Sequence, residues 1–136
     1  MRAVAFLWLS VLGGCSVPEN SPMMRPGEDC LTCHGPGASR HWYAAGTVYA
    51  EPQAAAGDGV QGAEVVITDG NGRRIRLTTN GAGNFYTAET LVFPATIVEV
   101  RRGGKVNQMP TQPPEGGCNS CHTGAPDGTA GRIYAP

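Results

Sequence analysis

Two pentapeptides in this 136-residue chain contain four of its five cysteines and two of its three histidines. They are Cys30–His34 and Cys118–His122, and each reads C-x-x-C-H. This spacing is typical of c-type haem attachment, because two thiols separated by two residues can add to the two vinyl groups of one porphyrin. The histidine that follows can then bind the haem iron as its proximal ligand. We therefore expect two haem c groups, with thioether bonds from Cys30, Cys33, Cys118 and Cys121 and proximal iron ligation by His34 and His122.

A haem that only carries electrons has a sixth iron ligand, and the chain offers few residues for this distal role. Met109 begins the proline-rich run 109–114 just before the second pentapeptide, a setting that favours ligation over core packing. His41 is the only histidine outside the pentapeptides. His41 lies only seven residues after His34, which is a short reach to the opposite face of the same haem. It could therefore bind the iron of the other haem or of neither. Two further candidates, which could equally be part of a spacer, precede the first pentapeptide: Met23 and Met24.

Paired cysteines also occur in zinc sites and in thiol–disulfide oxidoreductases. Zinc ribbons usually place about 15–20 residues between their two cysteine pairs, whereas 84 residues lie between Cys33 and Cys118. Oxidoreductases place the C-x-x-C at the start of a helix within a βαβ unit, and no such pattern surrounds Cys30. Haem attachment is therefore favoured over both alternatives.

Among haem functions, the residues favour electron transfer, and no catalytic residue is predicted. One alternative is a haem enzyme or small-molecule sensor with one open iron position, because Met109 is the only convincing distal ligand. Another is a structural or adhesion module whose haems hold contacts within a larger cytochrome assembly. Reaction of the iron with added CO or cyanide tests the first alternative, and molecular size under non-denaturing conditions tests the second.

The N-terminal segment predicts export. Arg2 precedes the mostly apolar run 3–12, which suits a signal peptide and is too short to span a bilayer as a helix. Residues 12–16 read LGGCS and resemble the lipobox of bacterial lipoproteins, which implies cleavage before Cys15 and acylation of its sulfur. Ser16 implies sorting to the outer membrane, on its periplasmic or cell-surface face. Ordinary cleavage nearby, which would leave Cys15 as a free thiol, is the alternative.

Composition and patterning predict an all-β fold. The chain has 20 glycines and 11 prolines with only 15% charged residues, which favours turns and short strands. Apart from a short helical turn expected at Cys30–His34, no stretch keeps a helical period, whereas several segments alternate apolar and polar residues. Residues 69–72 (DGNG) and 80–83 (NGAG) are strong turn signals. We expect a small β-sandwich of about six strands, at residues 46–50, 63–69, 74–79, 84–87, 95–102 and 105–109.

Three segments of the central region resemble a carboxypeptidase-regulatory-like domain: 46–48 (GTV), 60–65 (VQGAEV) and 78–85 (TTNGAGNF). The resemblance covers about residues 46–106 and implies a transthyretin-like, Ig-like sandwich that has no catalytic activity. With a C-x-x-C-H motif on each side of it, the whole chain is similar to small multihaem lipoproteins of metal-reducing bacteria. That similarity implies electron transfer within a multihaem extracellular assembly, with other multihaem cytochromes as redox partners and a lipid anchor in the membrane.

The expected organisation is a signal peptide (1–14), a lipidated tether (15–29) and one dihaem domain (30–136), composed of haem loop 1 (30–45), the sandwich (46–109) and haem loop 2 (110–136). An even number of alternating strands returns a chain to the end where it started. Both haem motifs are therefore expected at the same end of the sandwich. The formal net charge of −1 gives no indication of nucleic-acid binding, and self-association is left open.

Overall fold

The computed structural model describes residues 21–124 and 130–136, and within them the fold is all-β with two sheets, as predicted. The elements follow in this order: α1 Leu31–His34, β1 Ala44–Tyr49, β2 Glu64–Thr68, β3 Arg74–Thr78, β4 Asn84–Thr87, β5 Ile97–Arg102, β6 Lys105–Gln108, α2 Cys118–Cys121 and β7 Ile133–Tyr134. The predicted signal peptide, residues 1–14, and the predicted lipidation site, Cys15, lie outside the described residues. Within the described part, no helix is long and apolar enough to cross a membrane.

One sheet is antiparallel and has four strands in the order β3-β2-β5-β6. Along β2, Val65 and Ile67 belong to the hydrophobic core. They pair with Val100 and Val98 of β5. Glu64, which faces the other way, is only partly buried. This confirms the alternation expected from the sequence, because successive side chains of a strand point to opposite faces.

The other sheet has three strands, with β1 in the centre, antiparallel to β4 and parallel to β7. All six residues of β1 are buried, and the strand begins at Ala44, two residues before its predicted start. Strand β7 was not predicted, since it lies in the segment expected to be haem loop 2. A strand of two residues is too short to show an alternating pattern, so periodicity could not reveal it.

The two sheets share one hydrophobic core, which gives the fold its sandwich-like character. Val48 of β1 and Phe85 of β4 contribute from the three-stranded sheet. Val65, Ile75 and Val100 contribute from the four-stranded sheet. Because the core contains residues of both sheets, each sheet depends on the other for burial of its apolar face.

The turn between β2 and β3 is built around the buried carboxylate of Asp69. Its Oδ1 accepts hydrogen bonds from the backbone N–H groups of Asn71 and Arg73, and its Oδ2 accepts one from Val92. Burial acts to raise the pKa of Asp69, but the N–H donors outweigh it and hold the pKa below its usual value. Asn80 organises the next turn similarly, with its Oδ1 accepting from two backbone N–H groups. Both turns occur where the sequence predicts them.

Residues 21–29, the described part of the predicted tether, are bound to the sandwich. The Gly27 N–H donates to Thr47 Oγ1 (2.9 Å), and Asn84 Nδ2 donates to the Met24 carbonyl (2.9 Å). The proline-rich composition predicts an extended spacer that stands away from the domain, and in this part the structure differs. The segment consists mainly of turns and bends, which leave the Gly27 N–H and the Met24 carbonyl free to bond the buried side chains of Thr47 and Asn84.

Candidate cofactor site

The first C-x-x-C-H motif lies on α1, a single helical turn capped by Asp29. Its Oδ1 accepts a hydrogen bond from the Leu31 N–H (3.1 Å), and its Oδ2 accepts one from the Thr32 hydroxyl (3.2 Å). The His34 N–H closes the turn by donating to the Cys30 carbonyl (2.9 Å). Residues three and four apart lie on the same face of a helical turn. The motif's sulfur-bearing and imidazole side chains are therefore brought to one side.

The His34 imidazole is held along its edge and across its face. Nδ1 lies 2.9 Å from the Arg40 carbonyl oxygen. Because a carbonyl only accepts hydrogen bonds, Nδ1 carries the proton and Nε2 keeps its lone pair. The Trp42 indole stacks on the imidazole with ring centroids 3.7 Å apart, and Tyr86 stacks on Trp42 at 4.3 Å. His34 is thus fixed in the tautomer that metal ligation through Nε2 requires.

The second motif shows the same arrangement. His122 Nδ1 lies 2.7 Å from the Gly131 carbonyl oxygen, so its Nε2 also keeps the lone pair. The accepting carbonyl lies nine residues after His122 in this motif and six residues after His34 in the first. Two different loops therefore produce the same histidine tautomer.

Helix α2 packs against β1, and Gly116 permits the close approach. The Ala45 N–H donates to the Gly116 carbonyl (2.9 Å). A Cβ atom at Gly116 would overlap the Tyr43 carbonyl oxygen, so a larger residue would force the backbones apart. Next to this contact, a Cβ atom at Gly46 would lie 3.0 Å from Cys118 Cβ. The second motif is thus seated directly on the central strand of the three-stranded sheet.

A cavity of about 640 Å³ lies beside the second motif. Cys118, Cys121 and His122 line it together with Met109 and the proline-rich residues 110–114. Apolar residues of the sandwich complete the lining: Val65, Phe85, Val98, Val100 and Ile133. Ligand and cofactor sites usually measure about 300–1,000 Å³ and are mostly apolar. The cavity therefore has the size and chemistry to receive a large apolar cofactor beside the two thiols.

Among the four predicted distal ligands, Met109 is the one that lines this cavity with a motif histidine. The His41 ring instead packs at a tilt against Tyr43, with centroids 4.6 Å apart. Met23 has half of its surface exposed. Met24 is bound through its backbone carbonyl in the docked segment described above. The structure thus brings Met109 to the second C-x-x-C-H motif and does not bring His41, Met23 or Met24 to this cavity.

The motif cysteines differ in their chemical state. Burial, reinforced by the Asp29 carboxylate, raises the pKa of Cys30 to about 11. Burial, with a contribution from nearby Cys30, raises the pKa of Cys118 to about 12. Cys30, Cys118 and Cys121 are free thiols, whereas Cys33 is disulfide-bonded. Since one sulfur cannot form a disulfide and a thioether at once, haem attachment at Cys33 requires that disulfide to be reduced.

The two motifs lie side by side, as the strand count predicts. Asn119, between the two cysteines of the second motif, donates from Nδ2 to the Glu28 carbonyl (2.9 Å), two residues before Cys30. A Cβ atom at Gly117 would lie 3.2 Å from Asp29 Oδ1, which places these two segments in direct contact. Sequence reasoning did not single out Asn119. A polar residue inside the motif is visible in the sequence, but its burial is not.

The donors at the second motif fit a c-type haem: two free thiols two residues apart, an oriented histidine and an apolar cavity. The donor types at the first motif are the same once the disulfide at Cys33 is reduced. Across residues 21–124 and 130–136, no three His, Cys, Asp or Glu side chains converge into a metal-binding cluster.

No protein-family model, curated protein or solved structure matches this chain.

Proposed function

We propose that this protein carries electrons on two covalently bound c-type haems, one at each C-x-x-C-H motif. The observation that carries the proposal is the shared state of the two motif histidines. Both His34 and His122 donate from Nδ1 to a backbone carbonyl and keep Nε2 for a metal ion. Outer-sphere hydrogen bonds of this kind fix the tautomer and ring orientation of metal-binding histidines. Each haem, when bound, supplies an iron that gains or loses one electron.

At the second motif, the chain's own residues hold and shield the cofactor. Cys118 and Cys121 would provide the two covalent attachments, and His122 would provide the proximal nitrogen. Met109 lines the same cavity and would provide the distal sulfur. A haem held there would meet a mostly apolar lining, which would disfavour the more highly charged ferric state and raise the reduction potential.

At the first motif, Cys30 and the reduced Cys33 would provide the attachments, and His34 would provide the proximal nitrogen. The stacked Trp42 and Tyr86 rings restrict rotation of the imidazole, in addition to the hydrogen bond from its Nδ1. His41 remains a candidate distal ligand for either haem. The contact between the two motif segments supports electron exchange from one site to the other, so that the protein works as a short relay.

The proposed setting is an exported lipoprotein anchored through Cys15 in the outer membrane, with other multihaem cytochromes as redox partners. The apolar run 3–12 and the lipobox-like residues 12–16 support the anchor. The two-sheet all-β fold, with one motif on each side of strands β1–β6, supports a transthyretin-like sandwich that positions cofactors and catalyses no reaction of its own.

The test is a pyridine haemochrome assay on full-length protein matured in cells that express a haem-attachment system. We expect two haems per chain that resist acid–acetone extraction. The double variant Cys30→Ser/Cys33→Ser and the double variant Cys118→Ser/Cys121→Ser should each retain one haem. Protein with no covalent haem, or with bound zinc in its place, overturns the proposal.

The same preparation separates an electron carrier from a protein with an open iron site. Two six-coordinate haems leave the visible spectrum of the reduced protein unchanged when CO is first added. An immediate spectral shift identifies an iron that binds small molecules, and it replaces electron transfer by sensing or catalysis as the function of that site.

A further inference from the structure

We infer that Asn119 is a positioning residue that fixes the two haem motifs relative to each other and thereby sets the electronic coupling between the two haems. This inference rests on the proposed function and adds to it a residue outside the attachment and ligand set. Asn119 is the first residue between the cysteines of the second motif. Its side chain is 2% exposed, although asparagine is usually found at the surface.

The Asn119 side chain connects the second motif to two other parts of the fold. Its Oδ1 accepts a hydrogen bond from the Thr47 N–H on β1 (3.1 Å). Its Nδ2 donates to Thr47 Oγ1 (3.1 Å) and to the Glu28 carbonyl (2.9 Å). The Glu28 carbonyl lies two residues before Cys30. One amide group therefore holds the second motif, the central strand and the start of the first motif together.

Thr47 and Asn84 extend this connection. Thr47, which is fully buried, donates from Oγ1 to Asn84 Oδ1 (2.8 Å) and accepts from the Gly27 N–H (2.9 Å). Asn84 Nδ2 donates to the Met24 carbonyl (2.9 Å). Each of these polar side chains is hydrogen-bonded, and none of the buried side-chain nitrogen and oxygen atoms in the described residues lacks a partner. A buried network with all its groups satisfied is rigid, because any displacement breaks bonds that water cannot replace.

The chemistry of the site requires asparagine in particular. The group must accept from the Thr47 N–H and donate to the Glu28 carbonyl at the same time, and a carboxamide does both. An aspartate keeps the acceptor and loses the donor, so it cuts the connection to the first motif and the bond to Thr47 Oγ1, and it keeps the bond from the Thr47 N–H on β1. Cys118 and Cys121 flank Asn119 on the same helical turn. A shift of this turn would therefore move a haem attached to it relative to the first haem.

The test uses the circular dichroism of the haem-loaded full-length protein in the Soret region, where two haems in close contact give a pair of bands of opposite sign. We expect this couplet in the wild type and its loss in Asn119→Asp and Asn119→Ala, each with two haems per chain by pyridine haemochrome. Ser120→Ala is the matched control. Its hydroxyl bonds locally to the Gly117 carbonyl (2.6 Å), so its removal should leave the couplet intact.

Asn119→Asp keeps the readout valid if Asn119→Ala fails to fold, because the isosteric carboxylate still accepts from the Thr47 N–H. Wild-type protein with two haems and no couplet overturns the inference and leaves the proposed function standing. A couplet that is unchanged in Asn119→Asp also overturns the inference and leaves the proposed function standing. Wild-type protein without covalent haem overturns both.

Discussion

Substitution of Gly46 by alanine tests whether β1 positions the second haem motif by direct contact. Gly46 lies in the middle of β1 and is buried between Phe85 and Cys118. An added Cβ atom would lie 2.8 Å from Phe85 Cζ, 2.9 Å from Phe85 Cε1 and 3.0 Å from Cys118 Cβ. All three distances are shorter than ordinary carbon–carbon contacts of about 3.5–4.0 Å. Either the ring or the cysteine must move.

The expected cost follows from two opposing contributions. Forcing an extra methyl group into a packed core costs about 1–3 kcal/mol. Replacing glycine by alanine in a conformation open to both stabilises the folded state by about 0.4–1 kcal/mol, because the unfolded chain loses conformational freedom. The middle of each range, about 2 and about 0.7 kcal/mol, gives a net loss of about 1.3 kcal/mol in the free energy of unfolding. For a domain of this size, that corresponds to a fall in Tm of about 4–8 °C.

The assay is thermal unfolding of the haem-loaded protein, combined with mass spectrometry of the two haem peptides. We expect Gly46→Ala to unfold at lower temperature and to lose haem occupancy at Cys118 and not at Cys30. Gly57→Ala is the matched control, because nothing lies within 4 Å of its added Cβ atom. Equal Tm values for the two variants would refute the contact between β1 and the second motif.

Two further substitutions test the distal ligand and the Asp69 turn. Met109→Leu keeps the side-chain volume and removes the sulfur, so the reduced protein should bind CO at once and one haem should have a lower reduction potential. The control Met23→Leu should change neither the CO binding nor the potential. CO reactivity that is unchanged in Met109→Leu rules out Met109 as the distal ligand. Because the folded pKa of Asp69 lies below its ordinary value of 3.8, its ionised form stabilises the fold above that pH, and this contribution is lost as the pH falls through the folded pKa. Asp69→Asn should therefore have a lower Tm than the wild type at pH 7, and the two Tm values should converge as the pH is lowered below 4. A constant difference between them across the acid range would contradict the role given to the carboxylate.

A strand is easiest to recognise in the sequence when one of its faces lies in the core and the other in solvent. In β3, Ile75 is buried between exposed Arg74 and Arg76, and such a contrast is visible as a period of two. Strand β1 lacks the contrast because sheet neighbours, core and α2 cover it on all sides, so that Thr47 is as buried as Val48. Its boundaries were accordingly less well predicted than those of β3.

The two motifs could be recognised in the sequence because their residues are close together in the chain. A C-x-x-C-H motif is local, and a short helical turn is enough to bring its side chains together. The supporting contacts are not local: the hydrogen bond from the Thr47 N–H to Asn119 joins residues 72 positions apart. No pattern within one segment predicts such a partner, so the docking of residues 21–29 and the burial of Asn119 are visible only in the folded chain.

Because β1 pairs with β7, we expect the three-stranded sheet to be completed late in folding. The two strands come from opposite ends of the described chain, and the entropy of closing so long a loop must be overcome before their hydrogen bonds form. The second motif docks on the same central strand, so its thiols stay accessible until then. If the protein is exported and loaded as proposed, an attachment enzyme would meet the second pentapeptide as an open segment. Cofactor attachment would then come first and closure of the sheet would follow, because burial raises the pKa of the Cys118 thiol and makes it less reactive.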